Sequence, residues 1–221
     1  MDYTFTDEEK ASVRAFSAAR AQQDGGYYRN RGNIVSKVKA DVSNGALGEI
    51  ATKRLLMELF PQAEVSEVDM ELHSIGSAQK NYKADFTLTF PGGFIINVMV
   101  KMHLCGRYKT IRPAWLFQKP GSGRHRDNEI AKIMKGGDSQ DLFVGVLGYC
   151  TDKTKFKEDG FLPADAIADQ ARVLGPFSLQ TIVDEDIWQE PDAYGVRSRG
   201  YKRALVAEEL CEKIQPIVAI A

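Results

Sequence analysis

Lys83-Ala-Asp-Phe-Thr-Leu-Thr-Phe-Pro-Gly-Gly-Phe-Ile-Ile-Asn-Val-Met-Val-Lys101 reads as two runs on either side of Pro91-Gly92-Gly93. Each run alternates with period two, as half-buried strands do. Ala84, Phe86, Leu88 and Phe90 share one face of the first run, and Asp85, Thr87 and Thr89 share the other. In the second run Ile96, Val98 and Val100 oppose Asn97, Met99 and Lys101. A Gly-containing turn between such runs predicts a β-hairpin. The hairpin brings Asp85, at the start of one strand, near Lys101, at the end of the next. Such a pair is either a weak ion pair on a solvated face or part of a site.

Working outward from the hairpin, Ala46 to Phe60 carries Leu47, Ile50, Ala51, Leu55, Leu59 and Phe60 at helical spacing and ends at Pro61. Gly48-Glu49 lies in its first turns. The small residues Gly45, Ala46 and Gly48 let that end of the helix approach a sheet, and Glu49 lies beside the apolar stripe. Glu64 to Leu72 alternates weakly and predicts a strand. Thr6-Asp-Glu-Glu9 predicts an N-cap with a capping box, opening a helix that runs to about Gln23. After the hairpin a long polar connection, His103 to Asp127, carries Arg107, Lys109, Arg112, Lys119, Arg124, His125 and Arg126 among Tyr108, Trp115 and Phe117. A short helix is expected at Asp127–Lys135. The continuous apolar run Asp141–Cys150 suits a strand buried on both faces. Beyond it, helices are expected at about Pro163–Val173 and Ala204–Ile214.

The chain has 221 residues, 43% hydrophobic and 27% charged, with a formal net charge of -1 and a pI of about 6.3. That is ordinary globular composition, and one domain spanning residues 1–221 is expected, with its core at about 44–150. Near-neutral charge means that any nucleic-acid partner must be held by local basic patches. Cys105, Cys150 and Cys211 have no CxxC spacing, and His73, His103 and His125 are scattered, which argues against a zinc site. The odd cysteine count fits a reducing compartment. With no signal-peptide pattern at the N-terminus and no run of membrane-spanning length, a soluble cytoplasmic protein away from membranes is expected. No P-loop ending and no Gly-x-Ser-x-Gly occurs.

The order helix, three strands, helix, strand, with Gly48-Glu49, Lys-Ala-Asp85 and Met99-Val100-Lys101, resembles the PD-(D/E)XK nuclease superfamily over roughly residues 44–150. The resemblance implies an α/β fold with a restriction-endonuclease-like αβββαβ core and a mixed central sheet. Residues 1–43 would add an N-terminal helix and loop, and residues 151–221 a C-terminal helical extension. It also implies phosphodiester hydrolysis with Mg²⁺, for which Mn²⁺ would substitute. Asp85 would be the central metal ligand, Glu49 a second, and the Val100 carbonyl a further one. Lys101 would position the water.

One position departs from the pattern. The family's second acid would stand at Met99, whose thioether is no ligand for a hard cation. Three readings are open. The acid has been replaced to give an inactive form; the second acid comes from elsewhere, with Glu49 the leading candidate; or the chain binds DNA without cutting it. Asn97 is a candidate partner for a metal-bound water or a simple polar surface residue, and His103 is either at the margin of the site or on the surface. The basic connection offers Arg107, Lys109, Arg112, Lys119, Arg124 and Arg126 to DNA phosphates, and the loop Tyr27–Gly32 offers Arg29 and Arg31 beside two tyrosines. Both segments have a plainer reading as solvated loops. Cutting both strands of a duplex would need two sites, hence a homodimer.

Overall fold

A computed structural model describes residues 1–23, 35–68, 70, 84–107, 112–118, 139–189 and 202–219. The helix expected at Asp127–Lys135 lies outside these residues. Strands β1 (Asp2–Thr4), β2 (Glu64–Val65), β3 (Phe86–Thr89), β4 (Ile95–Leu104), β6 (Leu142–Tyr149) and β7 (Gln170–Ser178) form one mixed sheet in the order β1-β7-β6-β4-β3-β2. β5 (Ala114–Gln118) pairs instead with β9 (Lys202–Val206); β9 in turn pairs with β8 (Trp188–Gln189) in a second sheet, β5-β9-β8. The helices are α1 (Asp7–Gln23), α2 (Val35–Leu59), α3 (Leu179–Asp184) and α4 (Ala207–Lys213).

The hairpin forms as expected. β3 pairs antiparallel with β4 from Phe86↔Val98 to Thr89↔Ile95. Its turn is closed by Gly93 N–H to the Phe90 carbonyl at 3.0 Å, with Gly92 and Gly93 at φ 92° and 83°. Those values explain why two glycines follow Pro91, since side chains rarely adopt such backbone. β4 and β6 then run parallel over seven rungs, Val98↔Leu142 to Leu104↔Gly148. Parallel pairs are buried on both faces, and the side chains divide accordingly. Ile96, Val98, Val144 and Val146 join Leu47, Ala51, Leu55 and Leu56 of α2 in one core. Phe143 and Leu147 join Trp115, Phe117, Leu205 and Leu210 in a second core, beneath the small sheet.

Glycines set the closeness of both layers. A Cβ on Gly48 of α2 would stand 3.0 Å from Met102 Cβ, and one on Gly148 would stand 2.3 Å from Met102 Cε. Met102 therefore fills space left by two glycines and holds α2 close over β4. On the other face a Cβ on Gly145 would meet Trp115 Cη2 and Cζ2 at 2.4 Å.

The capping box at Thr6 is present: Glu9 N–H donates to Thr6 Oγ1 at 3.1 Å, and Thr6 N–H to Glu9 Oε2 at 2.8 Å. Several expectations are corrected. α2 begins eleven residues before Ala46, at Val35. Short polar side chains such as those of Ser43 and Asn44 compete for backbone partners; here both are buried and satisfied by tertiary partners. Ser43 Oγ donates to Ser17 Oγ at 2.9 Å; the Asn44 amide donates to the Ala166 carbonyl and accepts from Ala168 N–H, each at 3.0 Å.

Among the described residues the strand expected at Glu64–Leu72 is paired as β2 over Glu64–Val65; Asp69, Glu71 and Leu72 lie outside them. Within the supposedly polar connection His103–Asp127, Ala114–Gln118 is a strand whose Trp115 and Phe117 are buried. The helix expected at Pro163–Val173 is absent; the chain there leads into β7, held between β1 and β6. The final helix starts at Ala207, because Lys202–Val206 is the central strand of the small sheet. The C-terminal extension is thus strand-rich rather than helical.

Two substitutions test this packing. Gly145→Ala should lower the unfolding free energy by about 1–3 kcal/mol, because Trp115 must shift. Gly45→Ala, where nothing lies within 4 Å of the added Cβ, should raise it by about 0.5–1 kcal/mol through helix propensity. Urea unfolding followed by circular dichroism measures both, and equal effects would contradict the packing described.

Candidate active site

β3 begins one residue after Asp85, and that boundary makes the candidate site. Asp85 N–H donates to the Val98 carbonyl at 3.0 Å, so the backbone pairing reaches Asp85. The carboxylate then takes over from the strand: Val100 N–H donates to Asp85 Oδ2 at 2.6 Å. A strand residue turns its N–H and C=O to the same side. The Val100 carbonyl therefore faces the edge that Asp85 occupies, beyond the last β3 pairing. One acidic side chain and one backbone carbonyl meet beyond the last described rung of the β3–β4 ladder.

Glu49 belongs to the helix layer, on α2. Gly48, its neighbour, lies against Met102 of β4. Lys53, one turn further on the same helix face, pairs with Glu67, just beyond β2, at 2.5 Å. These two contacts bracket Glu49 along α2. Glu49, Asp85, Val100 and Lys101 are all half-buried.

Lys101 lies on the opposite face of the sheet from α2. Its ammonium stands 4.6 Å from the centroid of the Phe117 ring. Phe117 in turn packs edge-on against Phe143 at 5.4 Å between centroids, and Phe143 is the rung partner of Met99. Asp85 is one step beyond Phe86↔Val98, hence opposite Met99 on the other side of β4. Phe117 thus places the Lys101 ammonium against the core that also takes in Met99 and Phe143.

The surroundings of Met99 differ from the polar face expected from alternation. Met99 packs against the core that contains Trp115, Phe117 and Phe143. An apolar side chain at that position is explained by the small sheet above it. Among the described residues there is no group of three or more His, Cys, Asp or Glu that could hold a metal ion.

Other expected site residues have different surroundings. Asn97 Nδ2 donates to Asp141 Oδ1 at 3.0 Å, tying the start of β4 to the approach to β6. The Arg107 side chain is 4% exposed, pairs with Asp41 at 2.7 Å and donates to the Ala164 carbonyl. That is the setting of a lock between α2 and the segment before β7. Arg112 is half-exposed and pairs with Glu208 at 3.3 Å. Arg29, Arg31, Lys109, Lys119, Arg124 and Arg126 lie outside the described residues. Sequence reading missed Phe117 as a site neighbour. The signal was its alternation with Trp115, hidden by the surrounding basic residues.

His103, two residues after Lys101, is half-buried, and a ring nitrogen lies 3.0 Å from the Ala114 carbonyl. It links β4 to β5. Burial holds its imidazole below the usual range, against a smaller opposing effect of that carbonyl. Burial also pushes the Cys105 thiol up to about 11, which makes it a poor nucleophile.

Comparisons of the chain with protein-family models, curated proteins and solved structures give no match.

Two outcomes are expected. Asp85→Ala should cost about 1–3 kcal/mol of stability by stranding the Val100 N–H, and Asp85→Asn should cost less because its amide oxygen still accepts. Denaturant midpoints of the two variants give the comparison. For His103 the unfolded chain, near the ordinary value of 6.5, takes up its proton before the folded chain does. Stability present above that value is therefore lost as pH falls through the lower folded value. Urea titrations between about pH 7.5 and about pH 5 should show a smaller loss for His103→Gln than for the wild type.

Proposed function

We propose that the chain is a metal-dependent DNA endonuclease on a restriction-endonuclease-like core. The observation that carries this reading is the Asp85 carboxylate held at 2.6 Å by the Val100 amide, beyond the last described β3–β4 rung. On this reading Glu49 would approach from the α2 side of the sheet and Lys101 from the side of the small sheet. The order α2, β2, β3, β4, β6, with β2–β3–β4 antiparallel and β4–β6 parallel, supports the core assignment.

The donor set fits a hard divalent cation. Asp85, Glu49 and the Val100 carbonyl offer oxygen ligands of the kind Mg²⁺ and Mn²⁺ take. Met99 adds none. Bound there, the cation would supply a water activated near neutral pH and relief of charge on the phosphate. Asp85 would be fixed by the Val100 amide, so that its carboxylate is oriented before substrate arrives. Lys101 would hold the attacking water by hydrogen bonding and stabilise negative charge developing on the phosphoryl oxygens. Exposed Arg112 and the basic segments at 27–33 and 107–126 would contact DNA phosphates, while Arg107 acts in the fold. Cleavage of both strands would proceed in a homodimer.

A second reading, a catalytically silent DNA-binding protein on the same core, is favoured by one observation: Met99 belongs to an apolar core rather than to a ligand set.

Plasmid and branched DNA incubated with Mg²⁺ or Mn²⁺ separate the two. The nuclease reading expects wild-type cleavage that falls roughly 100-fold or more in Asp85→Ala, Glu49→Gln and Lys101→Met. It also expects calorimetric Mg²⁺ binding that Asp85→Ala removes. Binding of DNA that weakens steeply with salt, without cleavage by the wild type but with cleavage by Met99→Glu, would decide for the silent form. No cutting and no DNA binding at low salt would sink both.

A further inference from the structure

We propose that Phe117 is a positioning residue for Lys101: its ring helps fix where the ammonium stands on the small-sheet side of β4. The inference rests on the nuclease reading for its catalytic consequence, and on geometry alone for the placement. Lys101 Nζ is 4.6 Å from the Phe117 centroid, within the range in which a ring face attracts a cation. The ring is itself immobilised. Phe117 is 0% exposed and makes edge contacts with Phe143 at 5.4 Å and Trp188 at 5.1 Å. β5 carries it, and three further features fix β5 over β4 and β6: its pairing with β9, Trp115 over Gly145, and the Ala114 carbonyl beside the His103 ring.

The arrangement has a chemical logic. Met99 adds no negative charge beside Lys101 on that strand face. A flexible lysine has many rotamers, and holding one of them requires an oriented attraction. The negative face of a buried ring contributes such an attraction. A ring adds no metal ligand and takes up no proton. The small sheet thereby gains a role beyond covering the second core: it sets the direction of Lys101.

The experiment replaces Phe117 in the full chain by difluoro- and pentafluorophenylalanine, which keep the shape of the ring while weakening its negative face. Phe117→Leu is the variant without a ring. Two readouts are followed beside the thermal midpoint. The first is the NMR shift of the Lys101 side-chain methylene protons, assigned by their loss in Lys101→Arg. The second is the rate of plasmid cleavage with Mg²⁺. In the wild type the Lys101 methylenes should resonate upfield of those of other lysines, and Phe117→Leu should abolish the displacement. The cleavage rate should fall in step with fluorination, by about three- to thirtyfold for the pentafluoro ring, with the fold retained.

Ordinary lysine shifts in the wild type would overturn the placement, whether or not Phe117→Leu folds. A folded fluorinated series that cuts at the wild-type rate would overturn the positioning role. Upfield Lys101 protons in a chain that cuts no DNA would uphold the placement and remove the nuclease reading instead.

Discussion

The parallel pairing of β4 with β6 is the constraint on which the remaining structure depends. A pair buried on both faces needs a covering layer on each side. α1 and α2 cover one face, and Ser17 and Ser43 let those two helices meet closely through a shared hydrogen bond. The small sheet β5-β9-β8 with α3 and α4 covers the other. Neither layer stands alone: a three-stranded sheet needs a hydrophobic face to pack against, and β6 supplies it with Phe143 and Leu147. Gly145 and Gly148 on that strand are the places where the layers come closest.

The candidate site lies beyond the last described rung between β3 and β4. β3 begins at Phe86 while β4 continues to Leu104, and among the described residues no strand pairs with the β3-facing edge of Val100. A buried or half-buried amide needs an acceptor, and Asp85 provides one from its side chain. The same interaction orients the carboxylate. Structural need and proposed chemistry are thus met by one hydrogen bond at 2.6 Å. The two covering layers flank β4 on opposite sides: α2 with Glu49, and β5 with the ring beneath Lys101.

Much of this was legible along the chain. The hairpin, the Thr6 capping box, the helical stripe from Leu47 onward and the doubly buried run at 142–149 all came from local periodicity or turn chemistry. Those signals depend on neighbours a few residues apart. The hairpin register, on which the expected nearness of Asp85 and Lys101 rests, follows from its turn. What could not be read was pairing between distant segments. Trp115 and Phe117 look like aromatics in a basic loop until Leu205 and Val206 supply the partner strand. Ser43 and Asn44 look like a helix boundary until Ser17, Ala166 and Ala168 satisfy them.

By itself, therefore, the sequence determined the local elements nearest the site and the residue types at the strand edge. Alternation and turn chemistry act over short separations and need no knowledge of the rest of the chain. Only the tertiary structure decided that residues 170–178 and 202–206 are strands, that Met99 belongs to a core, and that Arg107 is spent on Asp41 rather than offered to solvent. Each of those outcomes depends on which distant surface arrives to bury the segment, and burial against a partner outweighs the small propensities that a local reading can weigh.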